Sequence, residues 1–220
     1  MTLKTIEKLL NDSNVFVRES KFDLAIESLN KALETNKENE NPQMDATILV
    51  RLVNLYMYIS ATDKATASLE SLNAIAEKQR NDGDKATILC DVGVANTNLR
   101  RFDVARRSFE KSLAIFESLA DKKNTAFQYG NIGSVCRDTE DYENALEYYQ
   151  KAIDIFTELN ESLPLADQYS NVAYIYSAKG DAKQSIKWFE KAAVLYQRLG
   201  QTEKEQLVHQ NISKLRNLLS

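Results

Sequence analysis

Glycine and proline are scarce in this chain, at six and two among 220 residues. Both interrupt helices, so their scarcity beside abundant Ala, Leu, Glu and Lys argues for helices nearly end to end. Histidine is rarer still. The lone His209 lies in a terminal helical segment far from partners, which makes a histidine-based catalytic triad implausible. The two cysteines, Cys90 and Cys136, stand 46 residues apart with no metal-ligand or CxxC spacing. Each sits among apolar neighbours, so both read as buried free thiols. No apolar run approaches the roughly 20 residues of a membrane span. The N-terminal MTLKTIEKLLNDSNVF lacks the apolar core and small-residue site of a signal peptide. A cytoplasmic protein is expected, and the N-x-S sequons at Asn11, Asn160 and Asn211 then carry no meaning. An excess of positive charge is also missing. The net charge is −4, which disfavours nucleic acid as a general partner. The basic cluster Arg100, Arg101, Arg106, Arg107 and Lys111 reads as a solvated, partly paired face, with Glu110 close to two of the arginines.

What is present is a period. Ala25, Ala65, Ala105, Ala145 and Ser185 follow one another at 40 residues, and each precedes by four a large apolar residue: Leu29, Leu69, Phe109, Tyr149, Phe189. A second series, Ser13, Val53, Gly93, Gly133 and Ala173, keeps the same interval. A stack of identical supersecondary units explains a constant spacing that a single globular core does not, because each unit buries one face on its neighbour. The unit after Lys122 is clearest. Tyr129, Ile132, Gly133 and Cys136 mark one helix face, Thr139-Glu140-Asp141 breaks it, and Tyr142, Ala145, Leu146, Tyr149, Ala152, Ile153 and Phe156 mark a second. Gly133 gives up about 1 kcal/mol of helix propensity, which suggests that a Cβ there would collide with the partner helix. Gly180 is placed to end one helix, Asp181 to cap the next, and Pro42 and Pro164 to sit in first turns.

Leu89-x-x-Val92-Gly93-x-x-Asn96 followed by Ala105-x-x-x-Phe109 resembles the tetratricopeptide repeat. The 40-residue period is similar to the long-repeat subclass of kinesin light chains and Pins-type scaffolds. This resemblance implies an all-α fold: a right-handed α-solenoid of about five helix-turn-helix units (6–45, 46–85, 86–125, 126–165, 166–205) with a capping helix over 201–219. All of 1–220 is then one domain. The first two units are degenerate, with Asp12 in an apolar place and Val53 in a small one. His209, in the register of Tyr169, reads as a packing residue.

No phosphate loop, HExxH or dinucleotide fingerprint occurs, so neither an enzyme nor a cofactor is expected. The resemblance places the first helix of each unit along a concave groove, which directs attention to Asn131, Asn171 and Asn211 at the 40-residue interval. Side-chain amides donate and accept, so such a row pairs with a peptide backbone or, equally, ties neighbouring helices together. Arg137 and Tyr174 join the row as candidate partner-binding residues. Arg51, Asn54, Met57 and Tyr58 are their counterparts toward the N-terminus, where the groove reads as more apolar through Leu10, Val17 and Val50. The lysines of a chaperone-tail clamp are absent from the corresponding places. The leading expectation is a non-enzymatic module that binds a peptide or helix of a protein partner. The alternatives are a self-assembling scaffold and a peptide-responsive regulator; a monomer or weak homodimer is expected.

Overall fold

The computed structural model describes residues 3–219. Eleven α-helices and no strand occur among them, in the order α1 (Leu3–Arg18), α2 (Phe22–Asn36), α3 (Pro42–Tyr58), α4 (Thr62–Lys78), α5 (Asp82–Asn98), α6 (Phe102–Ser118), α7 (Lys122–Asp138), α8 (Tyr142–Glu158), α9 (Ser162–Ala178), α10 (Ala182–Arg198) and α11 (Thr202–Asn217). This is the expected α-solenoid. The chain divides into two compact units between Ile115 and Phe116. In the first, α1 packs on α2 and α3 on α4, while α5 packs on both α3 and α4. In the second, α7 packs on α8 and α9 on α10, with α11 closing against α10.

Helix starts fall 20 residues apart, and the turns obey the same beat. Ser20, Glu40, Ser60, Arg100, Ala120, Glu140 and Asn160 all have positive φ, as do Gly180 and Gly200. At most of these turns the next amide reaches back to a carbonyl five residues earlier, as from Asp141 to Cys136 at 2.8 Å and from Asp181 to Tyr176 at 2.9 Å. That bond satisfies an orphan carbonyl of the helix end, but it requires the left-handed backbone that glycine adopts most cheaply. Only two of the nine positions are glycine. The following residue often caps the next helix: Asp121, Asp141 and Asp181 accept from backbone amides three residues on, at 3.1, 3.4 and 3.0 Å. Pro42 occupies the first turn of α3 beneath its Asn41 cap, where a missing amide costs nothing.

The small residues of the repeat mark where paired helices cross. A Cβ on Gly133 would lie 2.8 Å from the Tyr149 ring, and one on Gly93 would lie 2.4 Å from the Phe109 ring. Ala105, Ala145 and Ser185 are fully buried in the opposing helices. Ser185 uses its depth to donate to the Ala173 carbonyl at 2.8 Å. The repeat formed by α3 and α4 reaches the same result with other volumes. Val53 replaces the glycine, Leu69 replaces the aromatic ring, and both belong to the core that joins Ile6, Leu29, Ile48, Leu52 and Leu72.

Two sequence expectations need correction. His209 is not a packing residue: its side chain is 60% exposed, 3.8 Å from Glu205, because no second helix follows α11 among the described residues to cover the face that Trp188 covers on Tyr169. Cys136 is buried as expected, but Cys90 is only half-buried.

Gly133→Leu should lower stability to urea by about 1–3 kcal/mol, since the added side chain cannot enter without displacing Tyr149. A neutral result would mean that the ring moves aside freely. Ala120→Gly should raise stability by up to about 1 kcal/mol by relieving a positive φ, while Arg80→Gly, at the junction that lacks a positive φ, should not.

Candidate protein-interaction surface

Positions 6, 9 and 12 of each 40-residue repeat, as at Asn131, Ser134 and Arg137, share one face of a first helix, about a turn apart. In the second unit this face belongs to α7, α9 and α11. Arg137 on α7 donates from Nη1 to Oδ1 of Asn171 on α9 at 3.2 Å, while its Nε donates to Asp138 at 2.9 Å. Asn211 on α11 donates from Nδ2 to the Tyr174 hydroxyl of α9 at 3.1 Å. Tyr174 is held in turn by edge-on contact with Phe189, with ring centroids 5.1 Å apart. Asn131 donates to Gln128 on its own helix over a long 3.4 Å. The amide row therefore ties adjacent first helices together at Asn171 and Asn211.

The row is also a surface. Asn171 spends its oxygen on Arg137 and keeps its amino group, while Asn211 spends its amino group on Tyr174 and keeps its oxygen. Asn171 and Tyr174 line a pocket of about 260 Å³ with Asp167, Ser170, Lys204 and Leu207. Asp167 accepts from Lys204 at 2.6 Å and from the Tyr196 hydroxyl at 2.7 Å. Burial drives the Tyr196 phenol well above its ordinary value, so it stays a donor at any physiological pH. Lys204 and Leu207 come from α11 and carried no motif. Their signal was only their register within a helix whose other residues were already in place.

The first unit is built differently. Arg51 on α3 donates to Asn14 on α1 at 3.3 Å, and Asn98 on α5 donates to Asn54 on α3. Leu10, Val50 and Met57 are half-buried against the core, so the apolar surface here is smaller than the sequence suggests. Tyr58 is the large exception at 72% exposed, its ring leaning on Phe22 at 4.7 Å. Asp91 holds the register place of Arg51 and Asn131, its side chain has neither hydrogen bond nor ion pair among the described residues, and burial pushes its carboxyl up to about 6. Among the described residues no group of His, Cys, Asp or Glu is placed to hold a metal ion. No described helix is long and apolar enough to cross a membrane.

The tetratricopeptide repeat family model matches residues 84–158 and 124–198, together more than half of the chain. The chain belongs to the tetratricopeptide repeat family. Its members are in general non-catalytic interaction modules. No curated protein matches this tetratricopeptide repeat chain in sequence. Its fold is similar to that of several solved structures. Aspartyl phosphate phosphatase F from Bacillus subtilis shares 16% identity at a TM-score of 0.72, over 98% of this chain and 60% of that one. A signal-transduction ATPase from Pyrococcus horikoshii with a tetratricopeptide repeat sensor shares 18% identity at 0.71, over 93% and 31%. This chain thus spans less than two thirds of either. BtubC from P. vanneervenii shares 16% identity at 0.66, over 90% and 92%.

The burial of Asp91 has a measurable sign. Its folded-state value lies above the ordinary 3.8, so the folded protein holds the proton more tightly than the unfolded chain. The carboxylate therefore lowers stability as pH rises from about 4 through 6 and beyond. Asp91→Asn should stabilise the protein by about 1–2 kcal/mol at pH 8, allowing for partial solvent screening, and by nothing at pH 3.5. Urea unfolding at both pH values checks this.

Proposed function

We propose that this tetratricopeptide repeat chain is a non-enzymatic, cytoplasmic module, acting as one domain over 1–220. It binds a peptide or helical segment of a partner protein along the first-helix face, with Asn131, Asn171, Asn211, Arg137 and Tyr174 as contacts. The observation that carries this reading is the unequal use of the two amides. With Asn171 offering a donor and Asn211 an acceptor, the row presents both halves of a peptide-bond partner without needing a particular partner sequence. The interhelical bonds hold these groups in place, so little side-chain entropy is lost on binding. The neighbouring pocket, apolar at Leu207 and charged at Lys204 and Asp167, supplies a place for one partner side chain.

A partner captured by pull-down from native lysate provides the ligand for the test. Asn171→Ala with Asn211→Ala should weaken that partner by about one to four orders of magnitude, from 1–3 kcal/mol for each partner group left unpaired. The melting temperature should fall by only a few degrees, because one of the bonds replaced is exposed and the other only half-buried. Unchanged affinity together with a marked loss of stability would leave the row as a ladder between helices and end the contact reading.

A further inference from the structure

A pocket of about 590 Å³ lies in the first unit among α4, α5 and α6. Its origin is legible in the repeat. In the second unit the equivalent positions are filled by rings: Tyr129 against Tyr148 at 6.2 Å and Tyr169 against Trp188 at 5.5 Å. A lysine lies over each pair, with Lys151 at 5.1 Å from the Tyr148 centroid and Lys191 at 3.9 Å from that of Trp188. Forty residues before Tyr129, Tyr148 and Lys151 stand Leu89, Ser108 and Lys111. All three line the pocket. The lysine is kept and both rings are gone.

Charge changes at the same place. Lys151 is paired with Glu147 at 2.7 Å, but the residue in the register of Glu147 is Arg107. The lining thus holds Lys85, Arg107 and Lys111 against the single carboxylate of Glu77, and none of the three cations has an ion-pair partner among the described residues. The basic cluster of the sequence is accordingly divided. Arg106 is neutralised by Glu110 at 2.9 Å and Arg101 donates to Thr66 at 3.2 Å, while Arg107 and Lys111 turn to the pocket.

We propose that this pocket binds a small aromatic anion, of one or two rings with a carboxylate or similar group. Its ring takes the space of the missing Tyr or Trp, on Leu89 and beneath Lys111, where the cation meets the ring face. Its charge meets Arg107 and Lys85. The volume lies within the roughly 300–1,000 Å³ of small-molecule sites, and an apolar lining with a few converging polar groups is their usual make-up.

Calorimetric titration of the full chain with naphthalene-2-carboxylate tests this directly. Binding is expected, at least tenfold tighter than for naphthalene-2-methanol, which lacks the charge, or cyclohexanecarboxylate, which lacks the ring. Ser108→Trp supplies the ring that the second unit has at Trp188 and should reduce affinity at least tenfold with the helical circular dichroism unchanged. Lys111→Glu, on an exposed side chain, should do the same and decides the matter should Ser108→Trp not fold. No binding to the natural chain, or binding unaltered by both substitutions, overturns the proposal. An acidic peptide with one tyrosine that binds more than tenfold tighter than the free acid, with the same dependence on Ser108, overturns the small-molecule assignment in favour of a protein segment.

Discussion

Everything in this architecture hangs on how closely two paired helices can approach where they cross. A large residue of the second helix, Tyr149 or Phe109, lies where the Cβ of the facing first helix would be. Only one side of each crossing has room for bulk. The apolar area buried by a ring is worth several kcal/mol, against about 1 kcal/mol for an interior glycine. The exchange favours the pair. It also forbids independent variation: Val53 is tolerated in a repeat whose second helix carries Leu69 in place of an aromatic. What looks degenerate in the sequence of the α3–α4 repeat is a different division of the same volume.

That coupling is why the fold was legible. Period, helix faces and the small-against-large pattern are each one-residue properties repeated at fixed intervals, and burial enforces them in every copy. The turns were legible only in part. Gly180 and Asp181 announce themselves, but Ser20, Glu40, Ser60, Arg100, Ala120, Glu140 and Asn160 adopt the left-handed conformation with no residue type in common. Their geometry is imposed from outside, by helices of 15 to 17 residues that must end at the same level to pack. A strain of about 1 kcal/mol per turn is small beside the packing it permits. The half-period of 20 therefore resides in the backbone and hardly at all in the residue types at the turns.

The candidate interaction surface was half legible for a related reason. A residue's register identifies the face it occupies, and the face of Asn131, Asn171 and Asn211 was found that way. Register does not say with whom a side chain pairs, because Arg137 reaches forward to Asn171 while Asn211 reaches back to Tyr174. The alternatives of helix ladder and ligand contact, posed by the sequence as rivals, are compatible in the geometry. An amide has two hydrogen-bonding ends, and an interhelical bond occupies one.

The same register logic accounts for the pocket among α4, α5 and α6. A repeat protein built from equivalent positions leaves space wherever one copy carries smaller residues than its fellows, unless a neighbour grows to compensate. At the helix crossings compensation is complete, since an unfilled crossing would lose the packing that holds the pair. At Leu89 and Ser108 it is absent: Ser108 merely returns its hydroxyl to the Val104 carbonyl at 2.9 Å, and the residues around it include no added ring. The difference follows from where the space lies. A void at a crossing is sealed, and its lining atoms lose their contacts outright. A hollow at the surface fills with water at little cost, so the rings were dispensable there and the lysine stayed, together with two further cations, over an apolar floor. Stability does not demand that arrangement, because the second unit shows a filled version of the same site. A hollow that packing does not require, lined by three cations against one carboxylate with no ion pair to any of the three among the described residues, is what a binding site for an anion looks like in a repeat array.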